Sequence, residues 1–150
     1  MSRAEIPASG VLLGIDFGLA RVGLARTDAL RMLASPLKIL HRNGKPDTFV
    51  VSTILQEVAS SSAVGVVMGW PDEDDPRTES VRTAISGCIG RMEEQGIPVV
   101  RVAEAFSSRE ALELLHATGK RKKPGQFMDD WAAAVILQRY LDAADIYRQL

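Results

Sequence analysis

The sequence has a single cysteine, few aromatic residues and no excess of charge of either sign. Cys88 cannot form a disulfide within this chain, which favours a reducing compartment, so we expect a cytoplasmic protein. The formal net charge is −1, and composition alone therefore indicates no nucleic-acid partner, although a local basic patch would suffice for one. No apolar run has the length of a membrane span, and the first ten residues lack the apolar segment of a secretory signal. We expect no membrane partner.

The common signatures of nucleotide binding and hydrolysis are also missing. There is no P-loop and no G-x-G-x-x-G pattern. The serines at 60–62 and 107–108 have no adjacent histidine, which argues against a hydrolase triad. His41 and His116 have no histidine or cysteine at metal-ligand spacing, so we interpret both as surface or packing residues.

The pattern of apolar residues predicts one α/β domain. We expect residues 1–10 to be a loose tail and residues 11–150 to form the domain. The predicted order of elements is β-β-β-α-β-α-β-α-α, which indicates a mixed sheet flanked by helices. Asp47 is the expected N-cap of the first helix, and Asp75 followed by Pro76 that of the second. The runs that predict strands are VLLGIDF, RVGLARTD, SPLKIL, AVGVVMGW and IPVVRVAEAF.

Three acidic residues occupy comparable positions. Asp16 ends the first strand, Glu104 ends the fifth, and Asp129 opens the final helix, one turn before the small residues Ala132–Ala134. If strands one, four and five are parallel neighbours, Asp16 and Glu104 lie at the same edge of the sheet, within reach of that helix. Carboxylates that converge repel one another unless a cation lies between them. The pattern indicates a site for one or two Mg²⁺ or Mn²⁺ ions.

Simpler interpretations remain open for each of these features. An acid at a strand end is often solvated, and Asp129 is also favoured by the helix dipole. The basic run Lys120, Arg121, Lys122 and Lys123 is either a solvated loop or a contact for a phosphate backbone. We interpret Trp70 and Trp131 as packing residues rather than base-stacking platforms. The acidic stretch at 72–75 is interpreted as a solvated turn that ends in a helix cap.

Five motifs in the same order resemble the YqgF family of Holliday-junction-resolvase-like proteins. They begin with Asp16-x-Gly18-x-x-Arg21-x-Gly23 and continue as ASPLKIL, VVMGWP, GIPVVRVAEAFSSREA and GKRKK…MDDWAAAVILQRYLD. The resemblance implies an RNase H-like fold, with a mixed five-stranded sheet of order 3-2-1-4-5. It also implies a metal-dependent endonuclease that acts on pre-16S rRNA or on branched DNA, as a monomer or a homodimer. It also implies catalytic and metal-binding roles for Asp16, Glu104 and Asp129. Arg21 and residues Lys120–Lys123 match positions expected near the nucleic-acid backbone.

The chain departs from the family pattern beside Glu104. The family commonly has Asp-Glu-Arg where this sequence has Ala103-Glu104-Ala105. That departure motivates an alternative function, a nucleic-acid-binding or ribosome-assembly module that has lost catalysis. An actin-like ATPase opens with a similar Asp-x-Gly hairpin, but the chain is too short for the two lobes of that superfamily.

Overall fold

A computed structural model describes the backbone of residues 5–104 and 127–149, and the side chains of residues 5–104 and 131–144. Within these residues, five strands form one sheet: β1 (Leu12–Phe17), β2 (Arg21–Thr27), β3 (Ala34–His41), β4 (Gly65–Trp70) and β5 (Val99–Ala103). The helices are α1 (Asp47–Ser61), α2 (Glu79–Glu94) and α3 (Phe127–Gln149), and a 3₁₀ turn (Pro76–Thr78) precedes α2. In the described part of the chain, no helix is long and apolar enough to cross a bilayer.

The sheet has the order β3-β2-β1-β4-β5, which confirms the predicted mixed sheet. β2 pairs antiparallel with both β1 and β3, whereas β4 runs parallel to β1 and β5 runs parallel to β4. The carboxyl ends of β1, β4 and β5 therefore lie at one edge of the sheet, as the positions of the acids require.

Helices cover both faces of the sheet. Alternate residues of β1, namely Leu13, Ile15 and Phe17, are buried in a core with α1 and α2. The opposite face packs against α3, where Ala133 and Ala134 are almost fully buried. A Cβ atom at Gly14 would lie 2.8 Å from the carbonyl oxygen of Ala133. The backbones of β1 and α3 are thus in direct contact, which confirms the tight packing expected of the small residues.

The two predicted helix caps have different outcomes. Asp75 caps the 3₁₀ turn, and its carboxylate accepts a hydrogen bond from the backbone N–H of Arg77 at 2.9 Å. The prediction for Asp47 is wrong, because Pro46 is the cap residue of α1 and makes no side-chain cap bond. Asp47 is the first residue of α1, and its carboxylate pairs with the Arg42 guanidinium at 2.6 Å. The helix predicted within residues 107–119 lies outside the described residues.

Residues 5–10 differ from the loose tail that we predicted. The side chain of Ile6 lies 3.0 Å from the position of a Cβ atom on Gly65 and packs against the α3 core. The Arg31 side chain donates hydrogen bonds to the carbonyl oxygens of Pro7 and Gly10 at 2.6 and 2.8 Å. Burial of Ile6 and satisfaction of these carbonyls hold the segment on the domain.

Candidate active site

Asp16 and Glu104 come together at the edge where β1, β4 and β5 end. Asp16 is the fifth residue of β1, and Glu104 directly follows β5. The backbone N–H of Glu104 donates to the carbonyl oxygen of Trp70 at 2.9 Å, so the β4–β5 pairing continues one residue past the strand. This hydrogen bond fixes the backbone of Glu104 against β4. The two carboxyl groups are close enough to be hydrogen-bonded.

Gly69 of β4 provides the space that the Glu104 side chain occupies. A Cβ atom at position 69 would lie 2.6 Å from Oε1 of Glu104 and 2.6 Å from Cδ1 of Ile136, a residue of α3. No real Cβ atom tolerates such contacts, so any residue larger than glycine would displace the side-chain ends of Glu104 and Ile136. The acid therefore lies between β4 and α3, on the face of the sheet that α3 covers.

This environment disfavours the charged form of Glu104. Burial raises the pKa of its carboxyl from 4.5 to about 8, and the hydrogen bond to Asp16 and the negative charge of Asp16 act in the same direction. Oε1 of Glu104 is buried and has no hydrogen-bond partner among the described residues. A buried carboxyl oxygen without a donor, beside a second carboxyl, suits a hard divalent cation that accepts oxygen ligands. The residues present therefore fit a metal ion.

The third predicted ligand is described only through its backbone. Asp129 lies in the first turn of α3, one turn before Ala133, whose carbonyl oxygen lies against Gly14 of β1. The side chain of Asp129 is outside the described residues, so its role stays a prediction. Within the side chains that are described, Asp16 and Glu104 have no third acid, histidine or cysteine grouped with them.

The predicted contacts for nucleic acid are placed only in part. Arg21 begins β2 and is exposed. Because Asp16 pairs with Gly23 across the β1–β2 hairpin, Arg21 lies toward the same edge as the acids. Lys120, Arg121, Lys122 and Lys123 lie outside the described residues, and their role stays a prediction.

The structure confirms the interpretations of Trp70, Trp131 and the acidic stretch at 72–75, whereas His116 lies outside the described residues. Trp131 is only 2% exposed and packs in the α3 core. Trp70 is half-buried against the opposite core, and the Arg101 guanidinium lies 4.0 Å from its ring centroid. In the acidic stretch, Asp72, Glu73 and Asp74 are exposed, and the carboxylate of Asp72 accepts the backbone N–H of Asp74 at 3.0 Å.

Sequence reasoning missed two features of the site. Gly69 was recognised as part of a motif but not as the gap that holds Glu104. Arg139 of α3 donates a hydrogen bond to the carbonyl oxygen of Ala103 and so ties α3 to the end of β5, one residue before Glu104. Both features depend on how α3 lies on the sheet, and no local pattern in the sequence carries that information.

Solved structures of two resolvases share this fold. The Thermus thermophilus RuvC in complex with a Holliday junction substrate aligns with a TM-score of 0.61 at 17% identity, over 89% of this chain and 96% of that one. The fowlpox virus resolvase bound to Holliday junction DNA aligns with a TM-score of 0.54 at 10% identity, over 89% and 98%. The fold is RNase H-like, of the kind found in these resolvases.

The family follows from closer similarity. The family model described as RuvX, Holliday junction resolvase, matches residues 10–143, and the chain belongs to that family. A protein of Hydrogenovibrio crunogenus named "Putative pre-16S rRNA nuclease" is 34% identical over 139 residues, 91% of this chain and 97% of its own length. One of the same name from Dictyoglomus thermophilum is 34% identical over 142 residues, 90% and 97%. The resemblance to the YqgF family is confirmed, and the enzyme class is that of nucleases, hydrolases of ester bonds.

Proposed function

We propose that this protein is a divalent-metal-dependent endonuclease whose substrate is structured RNA, the 5′ region of pre-16S rRNA, with Asp16, Glu104 and Asp129 as its catalytic acids. The observation that carries the site is the buried, unpartnered Oε1 of Glu104 beside the carboxyl of Asp16. The names of the relatives support the choice of RNA. The solved resolvases, which are related by fold alone, support branched DNA as the second substrate to test.

Asp16 and Glu104 would hold Mg²⁺ or Mn²⁺ together with Asp129. When bound, such an ion supplies the positive charge that offsets charge developing on the scissile phosphate. Asp16 presents its carboxyl from the central strand β1, which is hydrogen-bonded on both sides and therefore rigid. Glu104 presents its carboxyl through the gap at Gly69. Both acids need to be ionised to bind the ion, and the charge of the ion would offset the burial and the repulsion from Asp16 that raise the pKa of Glu104.

The substrate backbone would be held by cations around the acids. Arg21 is exposed at the start of β2, and Lys120, Arg121, Lys122 and Lys123 precede α3 in the sequence. Guanidinium and ammonium groups bind phosphate oxygens without regard to sequence. Such contacts suit an enzyme that recognises the shape of a folded RNA. Cleavage of one RNA end requires one active site, so a monomer suffices, whereas a symmetric DNA junction requires a dimer.

The experiment compares cleavage of precursor 16S rRNA and a four-way DNA junction by the purified protein in Mg²⁺ and in Mn²⁺. We expect cleavage of the RNA that stops with chelator and is lost in Asp16→Asn and Glu104→Gln. Asp74→Asn is the matched control, because Asp74 is an exposed acid of the 72–75 turn, and it should cleave like the wild type. Cleavage by Asp16→Asn equal to that of the wild type would contradict the site.

The same experiment tests the alternative of a binding module without catalysis. Ala103 and Ala105 stand where the family commonly has acid and arginine, and this substitution motivates the alternative. A protein that binds the RNA but does not cleave it in either metal, and whose binding is unchanged in Asp16→Asn, is the result that would support the module and overturn the nuclease.

A further inference from the structure

Arg42 is a buried arginine next to the hairpin turn that follows Asp16. It comes directly after β3 and is only 5% exposed. Its backbone N–H donates to the carbonyl oxygen of Ala20 at 3.0 Å, and its Nη1 donates to the carbonyl oxygen of Gly18 at 3.2 Å. One residue thus binds both ends of the three-residue turn, Gly18–Ala20, that connects β1 to β2.

The rest of the guanidinium binds the start of α1. Nη2 of Arg42 donates to the carbonyl oxygen of Lys45 at 3.0 Å and to Oδ1 of Asp47 at 2.6 Å. Its Cζ lies 5.3 Å from the ring centroid of Phe17, the neighbour of Asp16. Burial of a charge is costly unless the charge is paired and hydrogen-bonded; here Asp47 and two carbonyl oxygens bind Nη1 and Nη2, while the buried Nε has no partner among the described residues. The planar fork of arginine makes these contacts together, which the single nitrogen of lysine does not.

The turn itself has little other support. A Cβ atom on Gly18 would collide with the carbonyl oxygen of Arg21, so only glycine fits here and no side chain at this position can support the turn. Leu19 at the tip is 62% exposed and contributes little packing. Both groups expected to meet the substrate flank the turn, with Asp16 two residues before Gly18 and Arg21 directly after Ala20. A shift of the turn would therefore move both of them.

We propose that Arg42 is a positioning residue of the active site. It lies on the α1 side of the sheet, away from the acids, and fixes the Gly18–Ala20 turn so that Asp16 and Arg21 keep their places at the edge of the sheet. This inference rests on the proposed function, because it assumes that Asp16 is a metal ligand. Displacement of a catalytic group by about 1 Å can reduce a rate about 100-fold, so a turn that is only slightly looser has a measurable effect.

The test compares three variants. Arg42→Met removes every side-chain hydrogen bond to the turn, and Arg42→Lys keeps the charge without the fork. Lys38→Met is the matched control, since the Lys38 Nζ pairs with Oε1 of Glu57 at 2.6 Å and also joins β3 to α1, but away from the turn. The measurements are kcat and KM for RNA cleavage, Mn²⁺ affinity without nucleic acid, and urea unfolding.

We expect Arg42→Met to lower kcat about 10- to 100-fold and to weaken Mn²⁺ binding, with little change in KM, which depends on many phosphate contacts. The kcat and the Mn²⁺ affinity of Arg42→Lys should lie between those of Arg42→Met and the wild type. Lys38→Met should lower the free energy of unfolding but leave kcat and Mn²⁺ affinity at the wild-type values. An Arg42→Met protein that keeps its kcat and Mn²⁺ affinity would overturn the inference, as would equal losses of kcat in Lys38→Met at matched stability.

Two further outcomes are also decisive. If Arg42→Met does not fold, Arg42→Lys decides, because a wild-type kcat and Mn²⁺ affinity in that variant would overturn the positioning role. If the wild-type protein cleaves no substrate, the proposed function fails, and the Mn²⁺ affinities of the variants still test whether Arg42 positions Asp16.

Discussion

A Cβ atom at Gly69 would lie 2.6 Å from Oε1 of Glu104, so the carboxyl group of Glu104 occupies space that only a glycine leaves free. The same atom would lie 2.6 Å from Cδ1 of Ile136. Gly69 therefore leaves room for the side-chain ends of Glu104 and Ile136 beside β4. The position of the Glu104 carboxyl in the proposed metal site depends on this space.

The first prediction concerns Gly69→Ala. The added methyl group must displace the side-chain ends of Glu104 and Ile136, and we expect cleavage to fall about 10-fold or more and the free energy of unfolding to fall by about 1–3 kcal/mol. Cleavage assays and urea unfolding measure the two effects. Gly90→Ala is the control, because a Cβ atom at that position of α2 meets nothing within 4 Å. It should gain about 0.5–1 kcal/mol from helix propensity and keep full activity. Equal activity in Gly69→Ala would show that Glu104 does not need this gap.

The second prediction concerns the stability of the metal-free protein as a function of pH. The pKa of Glu104 is 4.5 in the ordinary case and about 8 in the fold, so between these values the folded state binds more protons than the unfolded state. The contribution of Glu104 to the free energy of unfolding therefore decreases as the pH rises from about 4.5 to about 8. Below pH 4.5 Glu104 is protonated in both the folded and the unfolded state, so its burial imposes no cost of ionisation there.

Urea unfolding in EDTA over this range measures the effect, and Glu104→Gln supplies the comparison. The glutamine variant cannot ionise, so it should lose less stability with rising pH and should be more stable than the wild type near pH 8. Identical pH profiles for the two proteins would contradict the pKa of Glu104. A gain in stability at the expense of activity is common where buried acids serve a reaction.

The third prediction concerns Cys88 in α2. Its side chain is only 1% exposed, and burial, followed by the charge of Asp47, raises the pKa of its thiol to about 11. The thiolate is the reactive form, so we expect no reaction with a disulfide reagent at pH 8 until the protein unfolds. Reaction of Cys88 with the reagent in the folded protein, at a rate far above that of global unfolding, would show instead that α2 opens locally. Cys88→Ser supplies the blank.

The fourth prediction concerns the basic run before α3. Replacement of Lys120, Arg121, Lys122 and Lys123 by glutamine should weaken RNA binding and reduce its dependence on salt, because each phosphate contact that is lost lowers the slope of log K against log salt by about 0.7 to 0.9. Fluorescence anisotropy in chelator, where cleavage stops, measures this. Arg91→Gln in α2 serves as the control and should keep the wild-type slope. If the salt dependence of RNA binding is unchanged in the fourfold variant, the basic run does not contact phosphates and is a solvated loop.

The fold was predictable from the sequence because its strands are marked by local patterns. The continuous apolar run at 63–70 predicts a strand covered on both faces, and β4 is such a strand. The same argument located Asp16 and Glu104 at one edge. It failed for Asp47, since an acid before a helical pattern looks like a cap, whereas here its partner is Arg42, which lies in the loop before the helix. It failed for Ile6 as well, because burial of a short segment depends on the surface it meets.

The burial of Glu104 was not predictable, since it results from the packing of elements that are distant in the sequence. Nothing in the sequence around Glu104 shows that Ile136 lies above it or that Gly69 lies beside it. The role of Arg42 depends in the same way on the approach of β3 to the β1–β2 turn. Local periodicity determines which residues face a core, but the distance between two packed layers depends on every side chain in the interface.

The contact of α3 with the sheet has a consequence for the timing of activity during synthesis. The strands that carry Asp16 and Glu104 leave the ribosome before α3, and the face they share is open to water until Ala133 and Ile136 dock over Gly14 and Gly69. Because Ile136 packs against Gly69 beside Glu104 only after α3 has docked, the proposed active site is complete only once α3 has been synthesised.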